Sequence, residues 1–426
     1  MLQVKSQKEI FVWNLLGTIS SAAISVILLL VVSRLLSSQE ADLFSFAYAL
    51  ANLFIIIAHF QVRDYQATDV AEKFTFSQYF GTRIVTIFLM IIVVSVYICF
   101  IKADSEKALC ILFACLYRGS DALSDVFQGF FQQKARLDLA GQSLFYRNTL
   151  AMIVFAVGVY SFKNLLYALL AMLLVSYLFV FLFDIPKVFR FTKLVVSEIK
   201  WTKIKQILLD CLPLFINAFL LVTIYNQPKY ALNTFFEKGL IETGVQKDFN
   251  ILFMPVFALN ILLILFRPMI TQLAVFHSQG KVEEFKHQQL RIVRLMLLLS
   301  ALVLLLGITL GIPVLNIVYG TQLDQYRMVF IIMLFGGLAS TFATICDNML
   351  IVLRKQNYLV VSFALSCLVS ILISNPLVEH YLVAGAAISF FISMWIWFGM
   401  TLGIYLFSQK IEKRRKYSME TSDRND

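Results

Sequence analysis

Twelve apolar runs, each near the thickness of a bilayer, decide what this chain can fold into. They fall at about 10–32, 43–60, 82–101, 108–131, 144–162, 165–183, 207–235, 249–269, 292–315, 329–353, 358–373 and 381–407. A helix needs about 20 mostly apolar residues to cross the hydrocarbon core. Composition agrees: the 426 residues are 60% hydrophobic and 15% charged, where soluble domains run at about 45–50% and about 25%. The expected fold class is an all-α integral membrane protein of about twelve transmembrane helices. The first run is too long for a signal-peptide core and lacks a convincing cleavage site after it. The six cysteines (99, 110, 115, 211, 346 and 367) lie in or beside apolar runs without a C-x-x-C pair. They read as small buried residues, with neither disulfides nor a metal site implied.

Charge placement gives the topology. With both termini in the cytoplasm, 27 of the 36 Lys/Arg fall on cytoplasmic segments and their flanks. Seven fall outside (Arg34, Lys102, Lys107, Lys163, Lys238, Lys247 and Arg327), and Arg118 and Lys229 lie within spans. That is the positive-inside bias. Much of the net charge of +10 is therefore topology, with some attraction to anionic lipid and no nucleic-acid signal.

The expected organisation is a six-helix bundle over 1–183, a cytoplasmic linker over 184–206, a second six-helix bundle over 207–408 and a basic tail over 409–426. The linker alternates Lys187, Arg190, Lys193, Lys200, Lys203 and Lys205 with Phe189, Phe191, Val195, Ile199 and Trp201, which reads as an amphipathic helix on the membrane surface. The halves look related. Span one ends at Arg34 and span seven reaches Lys229; span two ends at Arg63 and span eight at Arg267. Two pseudo-symmetric bundles around a central cavity are a common plan in carriers, although cations cluster at span ends in any membrane protein.

Two polar interruptions stand out. In span seven, Tyr225-Asn226-Gln227-Pro228-Lys229-Tyr230 continues an apolar run; Pro228 cannot donate to the helix ladder and is expected to break the helix. A lysine at this depth costs about 2.5–3.5 kcal/mol on insertion scales, so it faces a wet cavity or a partner, or else snorkels to an interface. In span four, Arg118, Asp121 and Asp125 share one helical stripe, extended by Gln128 and Gln132. The stripe either pairs within itself or lines a hydrated cavity. Asp347 and Asn348 in span ten are a smaller instance. No G-x-x-x-x-G-K-[ST], H-E-x-x-H or G-x-S-x-G run is present, and the four histidines (59, 277, 287 and 380) are scattered, so neither a nucleotide-driven pump within the chain nor metal catalysis is indicated.

Several stretches resemble the bacterial polysaccharide flippases of the MOP exporter superfamily, the Wzx type. They include S-R-L-L-S-S-Q-E-A-D-L-F-S-F-A-Y-A-L (33–50), F-Q-V-R-D-Y-Q-A-T-D (60–69), Y-R-G-S-D-A-L-S-D-V-F-Q-G (117–129), R-L-D-L-A-G-Q-S-L-F-Y-R (136–147), L-P-L-F-I-N-A-F-L (212–220), Y-N-Q-P-K-Y-A-L (225–232) and V-Y-G-T-Q-L-D-Q-Y-R (318–327). The resemblance implies two six-helix bundles, a central cationic cavity and alternating access, with an undecaprenyl-pyrophosphate-linked oligosaccharide moved to the outer leaflet of the bacterial cytoplasmic membrane. It implies no cofactor; besides the lipid bilayer, its partners would be a polysaccharide polymerase and glycosyltransferases. The candidate phosphate-binding cations are Lys229, Arg118, Arg34, Arg63 and Arg267, with Lys229 and Arg118 foremost. Asn14, Asn217, Asn226 and Gln227 are candidate sugar contacts, and Asp121, Asp125 or Asp347 could bind a coupling proton or Na⁺. The rivals are an ion-coupled multidrug exporter of the same superfamily, a membrane polysaccharide polymerase or ligase, and a scaffold with no transport role. A polymerase or ligase would usually carry a large outer loop with polar catalytic residues, and the outer loops here are short.

Overall fold

The computed structural model describes the backbone of residues 7–69, 72–353 and 355–422, and within them every side chain except those of 7, 8, 68, 257, 258, 260–262, 264, 265, 267, 268, 271, 278, 356 and 410–422. Fourteen α-helices follow one another: α1 Gln7–Leu35, α2 Ser38–His59, α3 Val62–Thr68, α4 Phe76–Phe100, α5 Ser105–Gln133, α6 Leu137–Phe162, α7 Leu165–Phe179, α8 Ile185–Val188, α9 Trp201–Glu237, α10 Val245–Ser278, α11 Val282–Leu306, α12 Ile312–Tyr319, α13 Arg327–Val352 and α14 Leu359–Ser422. Among the described residues, nine helical stretches are long and apolar enough to cross a membrane by composition alone. Three more crossings complete twelve. One is α5, whose run is interrupted by Arg118, Asp121 and Asp125, and another is the 34-residue α10. The third appears because the 64-residue stretch α14 doubles back at Leu382, where φ 50° and ψ −124° are not helical.

Helix starts follow local chemistry. Ser37 and Glu40 form a capping box at α2, Thr75 and Gln78 another at α4, and Asp104 and Asn164 cap α5 and α7. Each satisfies N–H groups that a helix start leaves orphaned. The first turn of α2 caps more than itself. Glu40 accepts the Leu165 N–H that opens α7 (3.4 Å). Asp42, 2% exposed, accepts the N–H groups of Gly244 and Lys247 (the latter at 2.7 Å) at the start of α10.

Two compact units result. The first holds Met1–Val222 and Glu242–Asn250, the second Thr223–Ile241 and Ile251–Asp426. In the first, α5 is the central post, packed by α2, α3, α4, α6 and α7. Alongside, α1 and α6 cross closely at Gly17 and Gly141, where a methyl group on Gly17 would stand 2.9 Å from the Gly141 carbonyl oxygen. Small residues of this kind let membrane helices approach. In the second unit, α13 packs along the hairpin of α14.

Three expectations are corrected. Residues 184–206 do not form an amphipathic helix: only α8 and a single 3₁₀ turn, Val196–Glu198, are helical before Trp201. Phe189, Val195 and Trp201 stay exposed, while Phe191 and Ile199 are half-buried against the bundle. Phe191 packs on Phe130 and Phe131 (6.4 Å each), and the Val195 N–H is held by Ser77 Oγ at 2.9 Å. The unit boundary falls at Val222, inside α9 rather than in this segment. Lastly, α9 runs unbroken through Pro228; membrane helices absorb the one ladder bond that proline removes. Proline has a visible effect elsewhere. The residues before Pro186, Val180–Asp184, and before Pro313, Gly307–Gly311, widen into π turns, which relieve the clash of the ring with the preceding turn.

Candidate functional site

The polar stripe of α5 carries an ionic core in the first unit. Asp121 and Asp125 lie one helical turn apart, with Ser124 and Gln128 on the same face. Asp121 offers one oxygen to Arg118, three residues earlier, and the other to Arg147 of α6. Asp125 accepts from Arg83 Nη2 of α4 (2.9 Å) and Arg63 Nη1 of α3 (3.1 Å), and lies 3.0 Å from His59 Nδ1 of α2. Arg63 also reaches Gln128 Oε1 at 3.0 Å. Arg83 donates as well to the Ala58 carbonyl, which Thr86 also binds (2.7 Å). That carbonyl is one of the orphans at the C-terminus of α2, where the helix dipole favours a cation. Beside this core, Ser124 Oγ donates to Asp184 Oδ2 (2.7 Å) and lies 3.2 Å from Ser143 Oγ. The π turn after α7 ends on Asp184 and holds it in this buried position.

The four guanidinium groups are unequal in a regular way. The Arg83 and Arg147 side chains are sealed, 0% and 3% exposed, whereas Arg118 and Arg63 retain 22% and 29%. Each carboxylate therefore holds one sealed arginine and one open one. If the open arginine turns toward an incoming anion, the sealed partner still neutralises the aspartate. A buried charge stripped of its partner is the costly state, and this arrangement avoids it.

At the edge of the same unit, outside the spans, Asp69 fastens the α3–α4 turn. It accepts the N–H groups of Lys73 (2.9 Å) and Phe74 (3.1 Å) and the Tyr79 hydroxyl (2.8 Å). Burial pushes the Asp69 carboxyl up, but these donors outweigh burial and hold it below the usual carboxylate range. Lys73 continues to Asp210 Oδ2 on α9 (2.9 Å), which Tyr65 also binds (2.9 Å).

In the second unit, Lys229 is buried on α9 with its ammonium 4.5 Å from the Phe253 ring centroid. Phe253 packs in turn on Tyr225 and Phe390, so a desolvated cation rests on an aromatic cluster. Asp347 of α13 is buried and faces Trp397 and Thr401 of α14.

The structure thus gathers Arg63, Arg118, Asp121 and Asp125 into one network in the first unit and places Lys229 and Asp347 in the second. Asn226 is buried and Gln227 half-buried on α9; Asn217 is half-buried in the first unit, and its buried Oδ1 has no hydrogen-bond partner among the described residues. Arg34 and Asn14 are exposed. The Arg267 side chain lies outside the described residues. Sequence reasoning missed Arg83, Arg147, His59 and Asp184. Arg83 and Arg147 fall just inside the apolar runs 82–101 and 144–162, and that position is the available signal.

No family model matches the chain. Among solved structures it resembles an inward-facing multidrug resistance MATE family transporter of the MOP superfamily at a TM-score of 0.63, with 12% identity over 98% of this chain and 97% of that one. A MATE protein solved in complex with MaD3S follows at 0.62, with 14% identity over 96% and 97%. The protein is a multi-pass α-helical membrane protein with the two-bundle fold of the MOP-superfamily transporters, as the sequence resemblance implied. In sequence it is similar to the capsular polysaccharide biosynthesis protein CapF of Staphylococcus aureus, 22% identical over 414 residues that cover 96% of this chain and 100% of that one.

Proposed function

We propose that this protein is a flippase that carries an undecaprenyl-pyrophosphate-linked oligosaccharide across the bacterial cytoplasmic membrane by alternating access, with both termini in the cytoplasm. The observation that carries this reading is the pairing of a sealed and an open arginine on each of Asp121 and Asp125. Arg118 and Arg63 can exchange a carboxylate for a phosphate without stranding a buried charge. Guanidinium suits bidentate contact with phosphate oxygens, and the pyrophosphate is the part of the lipid that most resists hydrocarbon. Lys229 supplies a further desolvated cation in the second bundle, and Asn226 and Gln227 beside it can contact sugars. The capsule-related name of the sequence relative supports a polysaccharide precursor as cargo. Cationic drugs, the cargo of a multidrug exporter, would meet open guanidinium groups of the same sign.

The test is reconstitution in liposomes loaded with lipid-linked oligosaccharide, following substrate that becomes accessible to an enzyme added outside. Protein-dependent exposure that falls in the Arg118→Ala and Lys229→Ala forms supports the reading. No exposure with several glycans, or export of a cationic dye in its place, overturns it.

A further inference from the structure

The two open arginines are not held alike. Arg118 donates to Asp121 and, among the described residues, to no second side chain. Arg63 is held twice through one nitrogen. Its Nη1 donates to Asp125 Oδ1 at 3.1 Å and to Gln128 Oε1 at 3.0 Å. Gln128 follows Asp125 by three residues on α5, so both acceptors share one face of the helix. Its side chain is buried, with the residue 1% exposed. Asp125 already supplies the counter-charge, so the second acceptor is not needed to neutralise Arg63.

Chemistry fixes how the Gln128 amide is turned. A guanidinium can only donate, so the amide must present Oε1 to Arg63. Its Nε2 then donates to Ser124 Oγ at 3.0 Å, and Ser124 gives its own hydrogen to Asp184 Oδ2 at 2.7 Å. Ser124 and Asp184 are fully buried. Every donor in this chain runs one way, from Arg63 through Gln128 and Ser124 to a carboxylate on the π turn. The stem of Arg63 is confined as well. α3 meets α5 at Gly129, where a methyl group would stand 3.2 Å from Arg63 Cγ and 2.6 Å from Gln66 Oε1. Movement of Arg63 toward an anion therefore falls to its guanidinium end. Helix packing accounts for a buried glutamine at this contact, but not for its oxygen lying on the same nitrogen that Asp125 holds.

We propose that Gln128 is a positioning residue that restrains Arg63 against the pull of the anionic cargo and draws it back on release. When Arg63 turns to a phosphate, Gln128 Oε1 is left buried without a donor, which is a costly state. Cargo binding must meet that cost, and its recovery favours release. Asp121 and Arg118 have no equivalent restraint among the described residues, so Arg118 is the freer of the two cations. The proposal rests on the flippase reading, in which Arg63 meets the pyrophosphate.

The test is the liposome assay run over a range of lipid-linked oligosaccharide concentrations, which separates the half-saturating concentration from the maximal rate. Gln128→Met keeps the length of the side chain and removes the acceptor. Its half-saturating concentration should fall roughly tenfold, the equivalent of one hydrogen bond to a charged group, and its maximal rate should fall too. Gln128→Glu offers Arg63 a charged acceptor and should raise the half-saturating concentration instead. A merely structural role would move both variants the same way. Parallel shifts overturn the proposal, and so does a Gln128→Met value at or above that of the wild type. If one variant fails to fold, the other decides alone by its direction. Arg63→Ala tells this failure from failure of the reading beneath it. If Arg63→Ala transports as the wild type does, the pyrophosphate contact is refuted and the proposal with it. If Arg63→Ala is impaired while Gln128→Met is unshifted, the proposal alone is overturned.

Discussion

Asp121 and Asp125 of the first bundle and Asp347 of the second are partnered differently, although the buried Asp184 of the first bundle is held by a hydroxyl too. In the first, Asp121 and Asp125 are surrounded by guanidinium groups from α3, α4, α5 and α6. In the second, Asp347 faces an indole and a hydroxyl and has no ion pair among the described residues. The first arrangement fixes charge and leaves two cations able to move. The second leaves a carboxyl group with no guanidinium partner among the described residues. On the proposed function, the first bundle would be the one suited to an anionic cargo.

The sharpest test of this contrast is stability. Asp125→Ala strands the fully buried Arg83 and should cost about 3–5 kcal/mol, whereas Asp347→Asn orphans no cation among the described residues and should stay within about 1 kcal/mol. Denaturant unfolding in detergent measures both, and equal losses would erase the distinction. A double replacement, Arg83→Met with Asp125→Leu, should recover most of the loss, because an apolar pair of similar volume can replace a buried ion pair. Next come the open arginines. Arg63→Ala and Arg118→Ala should each lower flipping by roughly ten- to a hundredfold, the equivalent of a charged hydrogen bond, with stability nearly unchanged. Arg147→Ala should instead lose stability first. A smaller effect is expected of Lys229→Met, which removes a cation–π contact of about 0.5–2 kcal/mol yet should slow flipping at normal protein level.

The smallest effect falls outside the bilayer. The folded Asp69 carboxyl lies below its unfolded value of about 3.9, so its contribution is complete above that pH and is lost as pH falls through the folded value. Amide exchange at Lys73 and Phe74, corrected for intrinsic rate, should accelerate below about pH 4 in the wild type. In Asp69→Asn it should be fast throughout.

Much of the architecture was legible because bilayer thickness leaves few options: the twelve runs match the twelve crossings, extended by a few polar capping residues. The α5 stripe was legible as a stripe, since Arg118, Asp121 and Asp125 share helical spacing. Its partners were not. Arg83 and Arg147 meet it only through the packing of α4 and α6 on α5, and no spacing in the chain encodes that encounter. The 184–206 segment misled for a related reason. Its alternation of basic and apolar residues suits a membrane surface equally well, and only the presence of Phe130, Phe131 and Ser77 nearby redirects it. Asp347 was visible as an intramembrane acid, but that it has no ion pair among the described residues is a property of its neighbours.

The capping of α10 by Asp42 has a consequence for biosynthesis. Its partner Gly244 lies 202 residues downstream. At about 5–20 residues per second of synthesis, roughly 10–40 s separate the two leaving the ribosome. Throughout that interval α2 carries a carboxylate with no amide to receive it. The bond that seats α10 on α2 can therefore form only once the chain through Lys247 has been made.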